Sequence, residues 1–326
     1  MRVLVADAFP ETYRARLAER GHECVFQPDT TADQLSGRIA GFEGLVVRST
    51  VVDAETLQKA DALQVVIRAG SGTNTIDKQT ATERGIHVCN VPGRNAVAVA
   101  ELAFGLLLAL DRRIPDNVKD LREGRWDKKR YAKARGILGR QIGVVGLGQI
   151  GLAFAERAAA FGADVVGLAK PDRDPESARR ADALGMTYVD DLTSLARTCD
   201  VLSFHVPASA QTRGLVGRDL LEHVQPGAIL LNTSRGEIID EDALIEAMDA
   251  KGIRAGLDVY QDEPGRSAGR IDSRLARHPN VYGTHHIGAS TEQAQHAIAE
   301  EVVRVLDAYQ SGEVLHCVNL DPETAG

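Results

Sequence analysis

Six residues constrain this chain more than any others: Gly146-Leu-Gly148-Gln-Ile-Gly151. They follow the strand-like run 141–145 directly and open a helix-periodic stretch, and in that context the three glycines have separate tasks. Gly146 permits a tight turn, Gly148 lets the backbone approach a pyrophosphate, and Gly151 lets the helix pack close to the strand. The helix start, with Gln149 and Ile150 in its first turn, then offers unpaired N–H groups and partial positive charge to phosphates. The chain is therefore read as an α/β protein with a dinucleotide site.

Composition agrees with that class. The 326 residues are 44% hydrophobic and 26% charged, which excludes wholesale disorder, a fibre or a membrane bundle. At about 150 residues per domain the length suggests two domains. A net charge of −8 argues against a nucleic-acid coat. The most apolar stretch, 96–110, is interrupted by Glu101 and ended by Asp111-Arg112-Arg113. It falls short of the about 20 residues a membrane span needs, so it is read as a buried helix, with a place between subunits as one option. Cys24, Cys89, Cys199 and Cys317 form no CxxC pair and are read as free, buried thiols of a reducing compartment. The first residues read as a strand rather than a signal peptide. Together these point to the cytoplasm, with no membrane, nucleic acid or metal.

Strand-like runs at 2–6, 44–47, 64–67 and 86–89 alternate with helical patterns at 11–20, 32–39, 54–60 and 76–84. This predicts a parallel sheet with right-handed crossovers. After a helical segment at 95–110 and a basic loop the pattern restarts, with strands expected at 141–145, 164–168, 187–189, 200–204, 228–231, 253–256 and 280–283. A long helix follows at 291–309. A last short strand at 314–318 has no partner nearby in sequence and is expected to return to the first sheet. The fold class is thus two doubly wound parallel-sheet domains, a flavodoxin-like substrate domain (1–97 and 289–326) and a Rossmann dinucleotide-binding domain (98–288).

The ribose anchor departs from the usual NAD pattern. The expected acidic residue about 20 positions on is replaced by Ala169 or Lys170. Lys170 or Arg173 could pair with a 2′-phosphate, so NAD is expected and NADP stays open. Three late segments carry polar residues in apolar surroundings: 231–236 with Thr233 and Ser234, 256–264, and 283–291 with Gly288 and Ala289. Ligands in such sheets sit beyond the strands' carboxyl ends. An Arg gripping a carboxylate, a His taking a hydroxyl proton and a Glu fixing the His tautomer would suit oxidation of a hydroxy acid.

These segments resemble the D-isomer-specific 2-hydroxyacid dehydrogenase family, over nearly the whole chain and most closely its phosphoglycerate-oxidising members. The matching stretches are Ile67-Arg-Ala-Gly-Ser-Gly-Thr-Asn-Thr-Ile-Asp77, Asn90-Val-Pro-Gly-Arg-Asn95, Ala100-Glu-Leu102, Gly124-Arg-Trp126 and Cys199-Asp-Val-Leu-Ser-Phe-His205-Val-Pro207. The resemblance implies a catalytic set of Arg235, Glu263 and His286, with Asp258 and Ser71 toward the nicotinamide. It implies Val206, Pro207 and Thr212 on the adenine side, with His205 lining the groove. Gly70, Ser71, Gly72 and Asn95 would face substrate. Arg48 and Arg68, each after a first-domain strand, would hold a substrate phosphate, or else pair with Asp53 and Asp77. The five cations between Lys128 and Arg135 are read as a solvated loop that could add positive potential. His285 stands where the family has Pro.

The implied activity is NAD(P)-dependent oxidation of 3-phospho-D-glycerate to 3-phosphohydroxypyruvate by a homodimer. A glyoxylate or hydroxypyruvate reductase using NADPH is the alternative, and an NAD(H)-sensing, corepressor-like binding protein is the alternative of another class. The length leaves no room for an appended regulatory domain, which makes feedback through one unexpected.

Overall fold

A computed structural model describes residues 1–264 and 269–320. The chain divides into two compact units, Met1–Asn95 with a segment from Ser290 onward, and Ala96–Glu263 with Ile271–Ala289; Pro264, Gly269 and Arg270, expected within the second domain, fall in the first unit. Residues 321–326, which the sequence assigns to the first domain, lie outside the described residues.

The first unit is built on five parallel strands: β1 (Arg2–Val5), β2 (Glu23–Phe26), β3 (Gly44–Val47), β4 (Val65–Arg68) and β5 (His87–Cys89). Their order is β2-β1-β3-β4-β5, the flavodoxin-like winding. One sheet face carries Leu4, Leu45, Val47, Val66 and Val88, and the other Val3, Val5, Val46, Val65 and Ile67. Helix Glu292–Gln310 covers the second face with Ile298, Val302, Val305 and Leu306. Burial on both faces explains the near-continuous apolar runs of these strands.

The second unit has seven parallel strands: β6 (Gln141–Val145), β7 (Asp164–Leu168), β8 (Thr187–Val189), β9 (Val201–Phe204), β10 (Ile229–Asn232), β11 (Arg254–Leu257) and β12 (Val281–Gly283). Their order is β12-β11-β10-β9-β6-β7-β8. The winding reverses between β6 and β9, which is the switch point where such sheets bind ligands. Helix Ala96–Arg112 is the 96–110 stretch of the sequence reading. It buries Ala100, Ala103, Leu107 and Leu110 in the core of this unit. No helix among the described residues is long and apolar enough to cross a membrane.

Several expectations change. Strand β2 falls in a stretch the periodicity left blank. It is an edge strand, exposed or half-buried throughout, so it lacks the apolar run that marks its neighbours. Helix Ile114–Arg122 begins the expected basic loop; its mostly polar surface hid it. Residues 314–318 are not a strand. They meet the first sheet through one antiparallel bridge, Cys89 to Cys317. The four thiols are free, but only Cys89 and Cys199 are buried. Asp53 and Asp77 do not pair with the arginines; each caps a helix, accepting from the Thr56 and Thr80 N–H groups. Within the basic run, Arg130 pairs with Asp120 and Arg135 with Asp200.

Candidate active site

The glycine turn closes beside the end of β9. Gly146 has φ +95°, and a Cβ there would lie 2.4 Å from the His205 carbonyl oxygen and 2.9 Å from the Val206 side chain. At Gly151 a Cβ would reach within 1.9 Å of the Gly146 carbonyl oxygen. The protein's own packing therefore demands these two glycines. Gly148 differs: its φ of −83° suits any residue, and a Cβ would meet nothing within 4 Å. The space lies at the N-terminus of helix Gln149–Ala160, where unpaired N–H groups favour an anion. Two buried polar atoms beyond the neighbouring strands, His205 Nδ1 and Thr233 Oγ1, have no protein partner. An open cradle, a helix start and unpaired polar atoms fit a bound dinucleotide.

His205 shares its Nε2 with Ser203 Oγ at 2.8 Å and tilts against Phe154. Burial pushes this imidazole down to about 3, so it stays neutral. The following loop is closed by Thr212 Oγ1, which donates to the Pro207 carbonyl at 2.6 Å. At the end of β7, Ala169 donates its N–H to the Val189 carbonyl while Ala169 and Lys170 are exposed. Arg173, rather than a carboxylate, reaches back here. Its Nη2 donates to the Leu168 carbonyl at 2.8 Å, and its guanidinium lies 5.4 Å from the Tyr188 ring.

Arg235, Glu263 and His286 all belong to this unit. Asn232, buried at the end of β10, accepts from the Ser234 N–H and hydroxyl and donates to the Arg235 carbonyl. This clamp fixes the turn from which Arg235 projects; Arg235 Nη1 donates to the Ser234 carbonyl at 2.5 Å. Glu263 Oε1 accepts the Tyr260 N–H at 2.9 Å, and Oε2 lies 2.6 Å from His286 Nδ1. Burial alone would raise the Glu263 pKa. Hydrogen bonding and charge from His286, the Tyr260 N–H and nearby Arg235 outweigh it and leave the carboxyl below its ordinary range. An ionised Glu263 requires a proton on Nδ1, leaving Nε2 of a neutral ring as acceptor.

His286 sits at φ +51°, a backbone region that non-glycine residues rarely occupy. Asp258 holds it there. The buried Asp258 carboxylate accepts from Thr284 Oγ1 at 2.6 Å and from the Ile287 and Gly288 N–H groups, both at 2.9 Å. The Asp258 carbonyl takes the His286 N–H at 2.8 Å. Gly288 lies against this carboxylate, and Ala289 follows it. Three of the roughly four acceptor positions of Asp258 are thus used within the loop. His285 is exposed.

The first unit carries the other expected site residues. One oxygen of Asp7, Oδ2, accepts from the Arg48, Ser49 and Thr50 N–H groups, shaping the loop after β3. Arg48 Nη2 donates to Ser290 Oγ at 3.0 Å, and burial lowers its pKa. The Arg68 guanidinium folds over Gly70, whose φ is +146° and whose Cβ would collide with it at 1.5 Å. Ser71 Oγ contacts the Val91 carbonyl and Asn95 Oδ1, both at 3.2 Å, and Asn90 donates to the Ser71 carbonyl at 2.6 Å. Gly72 continues this loop. Asp7 and Asn232 were missed as site-shaping residues; each is a short polar side chain ending an apolar strand, which is the signal that would have found them.

A family model described as D-isomer specific 2-hydroxyacid dehydrogenase, NAD binding domain, matches residues 104–288. The D-3-phosphoglycerate dehydrogenase of Methanocaldococcus jannaschii is 38% identical over all of this chain, which spans 61% of that protein's length. The hydroxypyruvate reductase of Thermotoga maritima is 41% identical over 83% of this chain and 86% of its own. The TT0316 protein from Thermus thermophilus superposes with a TM-score of 0.85 at 34% identity, covering 98% of this chain and all of its own.

Proposed function

The chain belongs to the D-isomer specific 2-hydroxyacid dehydrogenase family, and we propose that it interconverts 3-phospho-D-glycerate and 3-phosphohydroxypyruvate with NAD. The observation that carries the reading is the 2.6 Å pairing of Glu263 with His286 Nδ1 in the unit that also holds Arg235. His286 Nε2 takes the hydroxyl proton as the substrate is oxidised and returns it to the carbonyl oxygen in reduction. Glu263 keeps the other proton on Nδ1 and stabilises the imidazolium that forms. Arg235 binds the substrate carboxylate through parallel hydrogen bonds. A bound nicotinamide supplies the hydride acceptor or donor. Gly146 and Gly151 shape the turn in which Gly148, Gln149 and Ile150 would hold its pyrophosphate, and Asp258 holds the loop that carries His286. Arg48 and Arg68 are the ligands proposed for the substrate phosphate.

A second reading has an observation of its own. The Arg173 guanidinium at the end of β7 favours NADPH, as a reductase of glyoxylate or hydroxypyruvate would use. One panel separates the two: phosphohydroxypyruvate, hydroxypyruvate and glyoxylate, each with NADH and then NADPH. Preference for phosphohydroxypyruvate with NADH supports the first reading. Loss of the preference for a phosphate, together with NADPH dependence, supports the second. The sensor reading would require tight NADH binding with no turnover, and the Glu263–His286 pairing argues for an enzyme.

The proposed oligomer is a homodimer. The second unit exposes Trp126 at 82% and Leu138 at 86%, with Val97, Ile114, Leu121 and Phe161 about half exposed. A second copy of the chain covering Trp126 and Leu138 is the occupant we assign. The free thiols support a cytoplasmic place of action.

A further inference from the structure

The only bridge between the segment after helix Glu292–Gln310 and the first sheet, among the described residues, sets two cysteines opposite each other. The Asn90 N–H donates to the His316 carbonyl and the Val318 N–H to the Val88 carbonyl, at 3.2 and 2.9 Å. These two bonds flank the pair, so Cys89 and Cys317 occupy a non-hydrogen-bonded antiparallel position. Residues so placed have Cα atoms about 4.5 Å apart, with their side chains on the same face. That separation lies at the short end of the about 4.4–6.8 Å that a disulfide spans.

We propose that Cys89 and Cys317 form a redox modification site that takes a low-molecular-weight disulfide as oxidant and closes into a cross-strand disulfide. Cys317 is half-buried and Cys89 fully buried, which orders the steps. The Cys317 thiolate attacks the oxidant R–S–S–R, forming Cys317–S–S–R and releasing one R–S⁻. Cys89 then loses its proton and attacks the Cys317 sulfur, releasing the second R–S⁻. Two protein thiols give up two electrons and two protons, and the oxidant becomes two thiols. Burial and the neighbouring Cys317 thiol push Cys89 up to about 12, so Cys89 is not the thiol that meets the oxidant first.

The position matters because of its neighbours. Asn319 accepts the Val88 N–H and donates to the Ile86 carbonyl, so the segment is already laid along β5. Asn90, next to Cys89, donates to the carbonyl of Ser71. A disulfide would lock the strand edge that supports this loop.

The test does not depend on the proposed activity. The full chain is incubated with a glutathione disulfide/glutathione series, acid-quenched and mapped without reduction. The expected result is loss of two of the four thiols and a Cys89 peptide linked to a Cys317 peptide. Cys24→Ser should retain the link and Cys317→Ser should abolish it. Amide exchange at Val88, Asn90 and Val318 should slow by at least about tenfold on oxidation. Persistence of all four thiols, or a stable glutathione adduct on Cys317 beside a free Cys89, would overturn the proposal.

Discussion

Glu263 is a carboxylate kept charged where burial works against it. Its lowered pKa has a consequence for the pH profile of kcat/KM: the acid limb belonging to Glu263 should lie below the ordinary carboxylate range. Glu263→Gln should leave the fold intact and reduce kcat by about 10²–10⁴-fold, measured in single turnovers with saturating cofactor. Arg235→Ala should reduce kcat/KM by about 10²–10³-fold while NADH binding, followed by fluorescence titration, stays measurable. Arg235→Lys should recover only part of the loss, because an ammonium cannot reproduce the two parallel bonds. At this scale the sequence was most legible through residue types in order along the chain. The supporting contacts were not, because Asp7 and Asn232 act on backbone groups that only the folded turn brings together.

The glycine turn separates folding from binding at the scale of an element. Gly151→Ala should lower Tm, since its Cβ would strike the Gly146 carbonyl oxygen. Gly148→Val should leave Tm nearly unchanged and weaken dinucleotide binding by at least about tenfold, because it fills space only a ligand uses. Thermal melts with and without NADH check both. Helix Glu292–Gln310 carries another test. Burial would raise the Glu301 pKa, but hydrogen bonds from Arg304, Arg94 and His316 hold it at about 2. A depressed pKa gives stability that is present above the unfolded value and lost as pH falls through the folded one. The loss should therefore run from about pH 4.5 down to about 2. Glu301→Gln should remove that acid limb and cost about 1–3 kcal/mol at neutral pH, read by denaturant titration. Doubly buried strands such as β3, β6 and β9 were legible as apolar runs. Edge strand β2 was not, since its residues are only half removed from water, and helix Ile114–Arg122 buries only Asp120 fully.

The whole molecule carries a net charge of −8, yet its proposed substrate ligands are arginines. Length and composition made two domains legible, but a charge total conceals where individual cations stand. The sequence could not locate the exposed apolar surface of the second unit, because exposure is a property of the packed fold. Trp126→Asp with Leu138→Asp should shift the protein from dimer to monomer in light scattering at micromolar concentration. An unchanged molar mass would contradict that assignment. The central claim, a phosphate-preferring NAD-dependent dehydrogenase built on His286 and Glu263, is tested most directly by kcat/KM for phosphohydroxypyruvate and hydroxypyruvate with NADH. The expected result is a clear preference for the phosphorylated acid that falls by at least about tenfold in Arg48→Ala. Equal turnover of the two acids, unaffected by Arg48→Ala, would contradict it.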